Sequence, residues 1–298
     1  MSESQLPAVE SETPLARYTS WRVGGPAGRL VRPESLEALC ALLRSLDARE
    51  PLTWLGLGSN VLIRDGGIRG TVILLNGVLN GIEIGDDGMV YVEAGASCPK
   101  VARQTVRAGL QGLEFWGGIP GSCGGALAMN AGCFGSETWR WVEQVQTIDR
   151  HGNLQRRAIS DYEVGYRSVT GPVGEWFVGA WFRLDSNGGG TGTKIQTLLE
   201  QRSASQPTGE ASGGSVFRNP PDDFAGRLIE SAGLKGLKLG GARVSEKHAN
   251  FIVNDGTATA MDIESLIERV QERVRQAYGI DLKPEVHILG EKAAARSN

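Results

Sequence analysis

The feature that most constrains this chain is a run at residues 117–135 that holds seven glycines among nineteen residues. It reads Gly117-Gly118-Ile119-Pro120-Gly121-Ser122-Cys123-Gly124-Gly125-Ala126 and continues to Met129-Asn130-Ala131-Gly132. With so few side chains, such a stretch brings backbone to van der Waals distance from a flat or extended ligand, or from another element of the fold. A second cluster, Gly56-Leu57-Gly58-Ser59-Asn60, closes an apolar run that begins at Pro51. Its alternating glycines can turn amides toward one anion such as a diphosphate, with Ser59 and Asn60 adding side-chain hydrogen bonds; a plain strand-to-loop turn fits the same residues. Two such clusters in one half of a chain favour a large cofactor, since separate turns can hold different parts of it. Neither GxGxxG nor GxxxxGK[ST] occurs, which argues against the two commonest nucleotide folds.

Composition narrows the function classes. The chain has 298 residues, 40% hydrophobic and 22% charged, with a formal net charge of -3, ordinary values for a globular protein of up to two domains. Its basic residues are dispersed, so no nucleic-acid partner is expected. No apolar run is long enough to span a membrane, and residues 1–11 are polar, with Glu3 and Glu10, unlike a signal peptide. Cytoplasm is the expected location. Cys40, Cys98, Cys123 and Cys133 form no paired CxxC motif, and the histidines are His151, His248 and His287 alone. Neither a metal site nor a disulfide scaffold is expected, and each cysteine reads as a small buried filler.

Periodicity gives an α+β layout. A helix opens at Pro33-Glu34 and carries Leu36, Leu39, Cys40, Leu43 and Leu46 at helical spacing. A second starts at Pro99 and stops at Gly109, and a third lies near 222–232. The last takes Asp262 as N-cap, buries Ile263, Leu266, Ile267, Val270, Val274 and Ala277, and ends at Gly279. Strands are expected at 51–57, 71–75, 89–93, 142–149, 176–184 and 251–254. The polar segment 185–192, with Gly188-Gly189-Gly190, is the boundary that composition favours. It divides a larger region, 1–190, from a smaller one, 191–298.

Several polar residues are placed to do chemistry. Arg167 stands among aromatics in Asp161-Tyr162-Glu163-Val164-Gly165-Tyr166-Arg167-Ser168, suited either to a carboxylate or phosphate or to a surface ion pair. Ser215 lies in Gly213-Gly214-Ser215-Val216-Phe217-Arg218-Asn219-Pro220 without a GxSxG elbow, so it is a turn serine or a proton donor rather than a hydrolase nucleophile. His248 reads as a hydrogen-bonded structural histidine. Glu285, between Pro284 and Val286, is open to either a packed or an exposed role.

Taken in order, these residues resemble the UDP-N-acetylenolpyruvoylglucosamine reductase family, in its compact subtype, from about Leu15 to Leu289. The resemblance rests on TSWRVGG at 19–25, GLGSN at 56–60, GIPGSCGGALAMNAGCFG at 118–135, DYEVGYRS at 161–168, GSVFRNP at 214–220, VSEKHANFIVN at 244–254 and the final PEV. It implies a two-part FAD-binding fold like that of the FAD-linked oxidases (PCMH/VAO type), in lobes of about 15–75 and 76–190. A smaller α+β substrate domain would follow at 191–298, its terminal segment returning toward the active site. It further implies noncovalent FAD held through Gly56, Leu57, Gly58, Ser59, Asn60, Gly118, Pro120, Gly121, Ser122, Gly124, Gly125 and Asn130. NADPH would be the electron donor, UDP-N-acetylglucosamine enolpyruvate the substrate, and a monomer the favoured state.

By the same resemblance, Arg167 binds and polarises the substrate carboxylate, Ser215 donates a proton, and Glu285 is the acidic partner near the reacting carbons. Arg202, Arg218 and Asn219 are candidates for holding the substrate diphosphate. Arg218 stands where many relatives carry lysine, Cys123 and Cys133 lie in a motif usually free of thiols, and the interval from Arg167 to Ser215 is short. The competing reading is an FAD-dependent oxidase of the same fold acting on an alcohol or sugar. A nonenzymatic nucleotide-sugar binder is the less favoured one, since all three catalytic candidates are present.

Overall fold

In a computed structural model, the structure describes residues 6–186 and 192–293; most of the glycine-rich boundary segment, 187–191, lies outside the described residues. The chain forms two compact units, each assembled from separated stretches of sequence. One comprises residues 1–10, 30–57 and 72–201; the other comprises 11–29, 58–71 and 202–298.

The first unit is built on a five-stranded antiparallel sheet in the order Leu154–Ala158, Val142–Asp149, Glu175–Arg183, Met89–Glu93, Ile82–Ile84. Register pairs Val145 with Ala180 and Ala180 with Val92, so one face is a continuous buried stripe. Helix α1 (Leu36–Ser45) begins where the hydroxyl of Ser35 accepts the Ala38 N–H, slightly later than the Pro33-Glu34 start that spacing suggests. Helix α2 (Cys98–Arg107) has Pro99 in its first turn and buries Cys98, Val101, Ala102, Thr105 and Val106. Trp116 and Phe182, both fully buried, meet edge to face at 5.1 Å between centroids. Helix α3 (Cys123–Ala128) starts inside the longer glycine run, where Ser122 is its N-cap.

In the second unit, a four-stranded antiparallel sheet runs Ala211–Ser212, Ile252–Asn254, Ala242–Val244, Lys238–Leu239. Two more α-helices, α5 (Ala225–Ser231) and α6 (Ala260–Tyr278), share one core with Trp21, Val216 and Phe217; α4 (Gly192–Ser205) precedes them in sequence. The apolar face of α6 is the predicted one from Ile263 to Val274, but Ala277, expected in it, is exposed in the last turn; Gly279 ends the helix at φ 68. Its start differs from expectation. Thr259 is the N-cap and Asp262 its reciprocal partner three residues on, a capping box. A separate parallel pair joins Val61–Ile63 to His287–Leu289, matching His287 with Val61. No helix among the described residues is long and apolar enough to cross a membrane.

Candidate active site

In the first unit, the two glycine clusters meet. A Cβ built at Gly56 would lie 2.4 Å from the hydroxyl oxygen of Ser122, so only glycine allows this approach. Gly56, Ser122, Gly124 and Gly125 then line one side of a cleft of about 320 Å³, with Trp54, Tyr162, Val169, Gly171, Glu175 and Trp176 among its other walls. The amides of the longer cluster are largely committed to the protein. Gly121 donates to Ile119 at 2.8 Å, Cys123 to Ala96 at 2.8 Å and Gly124 to Ala94 at 2.8 Å. Gly125 donates to the Ser122 hydroxyl at 3.4 Å. These glycines therefore offer clearance more than a fan of donors.

The aromatic walls are residues the sequence reading missed. Trp54 and Trp176 stack at 5.1 Å between centroids and 22° between planes. The indole N–H of Trp54 and the hydroxyl of Tyr162 are both buried without a hydrogen-bond partner in the protein. Unpaired buried polar groups are costly, and both belong to residues that line this cleft. Burial, followed by the Glu175 charge, pushes the Tyr162 phenol up to about 12, so it keeps its proton and is available as a donor. A bare glycine wall opposite aromatic faces with two unused polar tips fits part of a flavin nucleotide.

Arg167 stands beside this cleft's walls in sequence and structure. It occupies the tip of the hairpin formed by Glu163–Gly165 and Ser168–Thr170, with φ 54. Its guanidinium donates to the carbonyls of Gly132 at 2.7 Å and Asn130 at 3.4 Å and lies over the Tyr166 ring. Asn130, itself at φ 44, is almost fully buried. Its side chain donates to Gly165 at 3.1 Å and Glu137 at 2.9 Å and accepts the Trp139 N–H at 3.1 Å. Its amide group is thus occupied in fixing the hairpin that carries Arg167. Gly118 is buried under Phe134, and Pro120 is exposed at the turn.

In the second unit, Ser215 and Glu285 are brought together. Glu285 N–H donates to the carbonyl of Val216, the residue after Ser215, at 2.7 Å, and Arg218 N–H donates to Lys283 at 2.9 Å. Asn60 braces the same segment: its side-chain amide donates to the Glu285 carbonyl at 3.1 Å, and its own carbonyl accepts the His287 N–H at 3.0 Å. Gly58, at φ 66, passes so close to the Tyr18 carbonyl that a Cβ would lie 2.0 Å from it, while Leu57 and Ser59 are half-buried. Arg218 is half-buried, with its Nε unpaired in the protein, and its charge adds to burial in holding His287 below the ordinary imidazole value. Asn219 accepts the Ala225 N–H at 3.1 Å, and Arg202 donates to Gln206 at 2.9 Å. His248 Nδ1 accepts the Asn250 N–H at 3.2 Å, a structural bond as expected from sequence.

Similarity to known proteins covers both parts of the chain. Residues 27–157 match the family model described as an FAD binding domain, and residues 206–289 match the UDP-N-acetylenolpyruvoylglucosamine reductase C-terminal domain. The chain is 57% identical over 279 residues to the UDP-N-acetylenolpyruvoylglucosamine reductase of Alkalilimnicola ehrlichii, covering 93% of each protein. It is 57% identical over 282 residues to that of Methylococcus capsulatus, covering 94% of this chain and 93% of the relative. The crystal structure of UDP-N-acetylenolpyruvylglucosamine reductase from Thermus caldophilus matches with a TM-score of 0.81 and 34% identity, over 96% of this chain and all of that one. Fold and cleft thus define an FAD-binding oxidoreductase of the FAD-linked oxidase fold with an α+β C-terminal domain. The chain belongs to the UDP-N-acetylenolpyruvoylglucosamine reductase family.

Proposed function

We propose that this chain reduces UDP-N-acetylglucosamine enolpyruvate to UDP-N-acetylmuramate with NADPH, in the synthesis of peptidoglycan precursors. FAD, when bound, supplies the redox chemistry, carrying two electrons and a hydrogen from NADPH to C3 of the enolpyruvyl group. A proton is added at C2, so the carbon–carbon double bond becomes single and NADP⁺ is the oxidised product. The chain's own residues have three tasks. Arg167, splayed by its two carbonyl contacts, binds the substrate carboxylate and stabilises the negative charge that spreads into it from C2. Ser215 holds the proton destined for C2, and Glu285 orients that hydroxyl or the enolic form of the substrate. Arg202, Arg218 and Asn219 are assigned to the substrate diphosphate, with Arg218 carrying the strongest case because its Nε is buried and unpaired. The same reading takes FAD as noncovalent, the location as cytoplasmic and the working state as a monomer.

Besides family membership, one observation carries these assignments: the Glu285 amide is bonded to the carbonyl that follows Ser215, so a hydroxyl and a carboxylate distant in sequence share one short bridge. Stopped-flow flavin absorbance tests the reading. Protein reduced anaerobically with NADPH and mixed with the enolpyruvyl substrate is expected to regain the oxidised flavin spectrum with one equivalent of UDP-N-acetylmuramate. Reduction without reoxidation by that substrate, or yellow colour that survives denaturation, would favour the oxidase reading instead.

A further inference from the structure

We propose that Asn250 is a positioning residue for the Ser215 hydroxyl, an inference that rests on the assignment of Ser215 as proton donor. Asn250 is only 4% exposed, and its side chain bonds to the chain segment that follows Ser215. Its Oδ1 accepts the Phe217 N–H at 3.0 Å, and its Nδ2 donates to the Phe217 carbonyl at 2.8 Å. Its backbone carbonyl accepts the Val216 N–H at 2.9 Å. One residue thereby fixes three backbone groups of the two residues after Ser215. The side-chain amide does for the N–H and carbonyl of Phe217 what a neighbouring strand would do, while an antiparallel bridge to Pro284 holds the segment through Val216 and Arg218.

The segment before Ser215 is held at Ser212, which pairs with Val253 and accepts the Ser20 hydroxyl at 2.6 Å, and at Gly213, packed against the Trp21 ring. Gly214 sits at φ 76 with nothing within 4 Å of the place a Cβ would take, so the residue immediately before Ser215 has no packing contact on that side. In the residues immediately beside Ser215, the hold therefore comes from downstream, by Asn250 on one side and the Glu285 amide on the other. Asn250 is in turn held by the turn that presents it. Its N–H donates to His248 Nδ1 at 3.2 Å, Phe251 N–H donates to the His248 carbonyl at 3.0 Å, and Ser245 N–H donates to the Phe251 carbonyl at 2.8 Å. A leucine would fill similar volume and leave both polar groups of Phe217 buried without partners. Proton delivery depends on placement to a fraction of an ångström, so loss of this brace is expected to reach the chemistry mainly through Ser215.

The test uses the FAD-loaded full chain and the variants Asn250→Leu, Asn250→Asp, Ser215→Ala and Ser215→Ala with Asn250→Leu. Asn250→Asp keeps an acceptor for the Phe217 N–H, loses the donor to its carbonyl, and serves if the leucine variant does not retain FAD. We expect amide exchange at Phe217 to accelerate about tenfold or more in Asn250→Leu. Flavin reduction by NADPH should stay within about twofold of the parent, while reoxidation by the enolpyruvyl substrate slows about 30-fold. In the Ser215→Ala background, Asn250→Leu should slow reoxidation by less than about twofold further, because its effect is already spent. Reoxidation at the parent rate in folded Asn250→Leu or Asn250→Asp, or a full multiplicative loss on top of Ser215→Ala, overturns the proposal. A parent enzyme that does not reoxidise with this substrate, or a Ser215→Ala variant as fast as the parent, instead removes the underlying reading of the site.

Discussion

The side-chain amide of Asn60 donates to the backbone carbonyl of Glu285 at 3.1 Å, although Glu285 lies 225 residues further along the chain. This bond, with the return bond from His287 N–H to the Asn60 carbonyl, extends the parallel pairing of Val61–Ile63 with His287–Leu289 by one more step. The last residue of a glycine-rich turn thus acts as a brace for the candidate acid. Asn60→Ala is expected to cost about 1 kcal/mol of stability in urea denaturation and to slow substrate-driven flavin reoxidation about tenfold. A variant that keeps parental reoxidation while losing stability would make Asn60 a purely structural residue.

Gly125 separates ligand clearance from folding. It lies in α3, exposed in the cleft, and a Cβ there would touch only the Ser122 hydroxyl at 3.6 Å. Gly125→Ala should therefore leave the FAD-free protein as stable as the parent, or up to about 1 kcal/mol more so, because a helical glycine is replaced. The same methyl intrudes on the cleft and should weaken FAD binding about tenfold, roughly 1.4 kcal/mol. Flavin titration and thermal melts of the apoprotein check the two halves; unchanged FAD affinity would place the cofactor elsewhere.

Arg167→Lys preserves the charge but not the fork. A lysine ammonium cannot reach the Gly132 and Asn130 carbonyls and still present a planar face to a carboxylate. We expect kcat/KM for the enolpyruvyl substrate to fall about 100-fold with NADPH reduction of the flavin unaffected. Steady-state kinetics against the substrate decide this, and a loss under about threefold would assign Arg167 to local structure.

Two imidazoles, the half-buried His248 and the more exposed His287, predict an acid-sensitive fold in which His287, facing solvent, carries the smaller share. Burial is the main cause that holds His248 below its ordinary value of 6.5, aided by Lys235 and opposed by Glu230. For His287 the cause is again burial, with Arg218 second. In both, the folded state favours the neutral ring, so the stability they contribute is complete above 6.5 and is lost as pH falls from there through their folded-state values. The urea midpoint should fall across that window, and His248→Gln should flatten part of the decline. A midpoint independent of pH below neutrality would show that neither ring resists protonation.

Burial also matters at Glu114, a 3% exposed carboxylate that accepts the Gly112 N–H at 2.7 Å and Lys194 at 2.9 Å. Glu114→Leu leaves the buried Gly112 donor unpaired and should cost about 1–3 kcal/mol, whereas Glu114→Gln keeps an acceptor and should cost less. Urea midpoints of the two variants rank the hydrogen bond against the ion pair; equal losses would give the weight to the Lys194 charge, which is half in solvent and discounted accordingly.

What could be read from sequence was local. The alternation at 89–93 and 142–149 returned both strands with their observed ends, and the apolar stripe of α6 was visible from Ile263 to Val274. The start of α6 was misplaced because Asp262 is a good cap in isolation; the spacing Thr259-Ala260-Met261-Asp262 carries the reciprocal signal that identifies the true one. Glycine clustering pointed to close approach, and Gly56 against Ser122 is such an approach. The aromatic wall escaped because Trp54, Tyr162 and Trp176 come from three separate segments, and each reads alone as an ordinary core residue. Asn250 escaped for a related reason. Its partners are backbone groups of Val216 and Phe217, and peptide groups leave no mark in a sequence.

The interleaving of the two units has a consequence for synthesis. Trp21, fully buried, donates its indole N–H to the Ile252 carbonyl at 2.8 Å, a partner 231 residues later. A nascent chain therefore displays a large apolar ring for the roughly 10–50 seconds in which the residues that will cover it are still untranslated. Non-local closure of this kind is slow and exposes sticky surface while it waits. For this chain the hazardous interval is set by translation itself, and the step most dependent on chaperone protection is the docking of an early tryptophan onto a late strand.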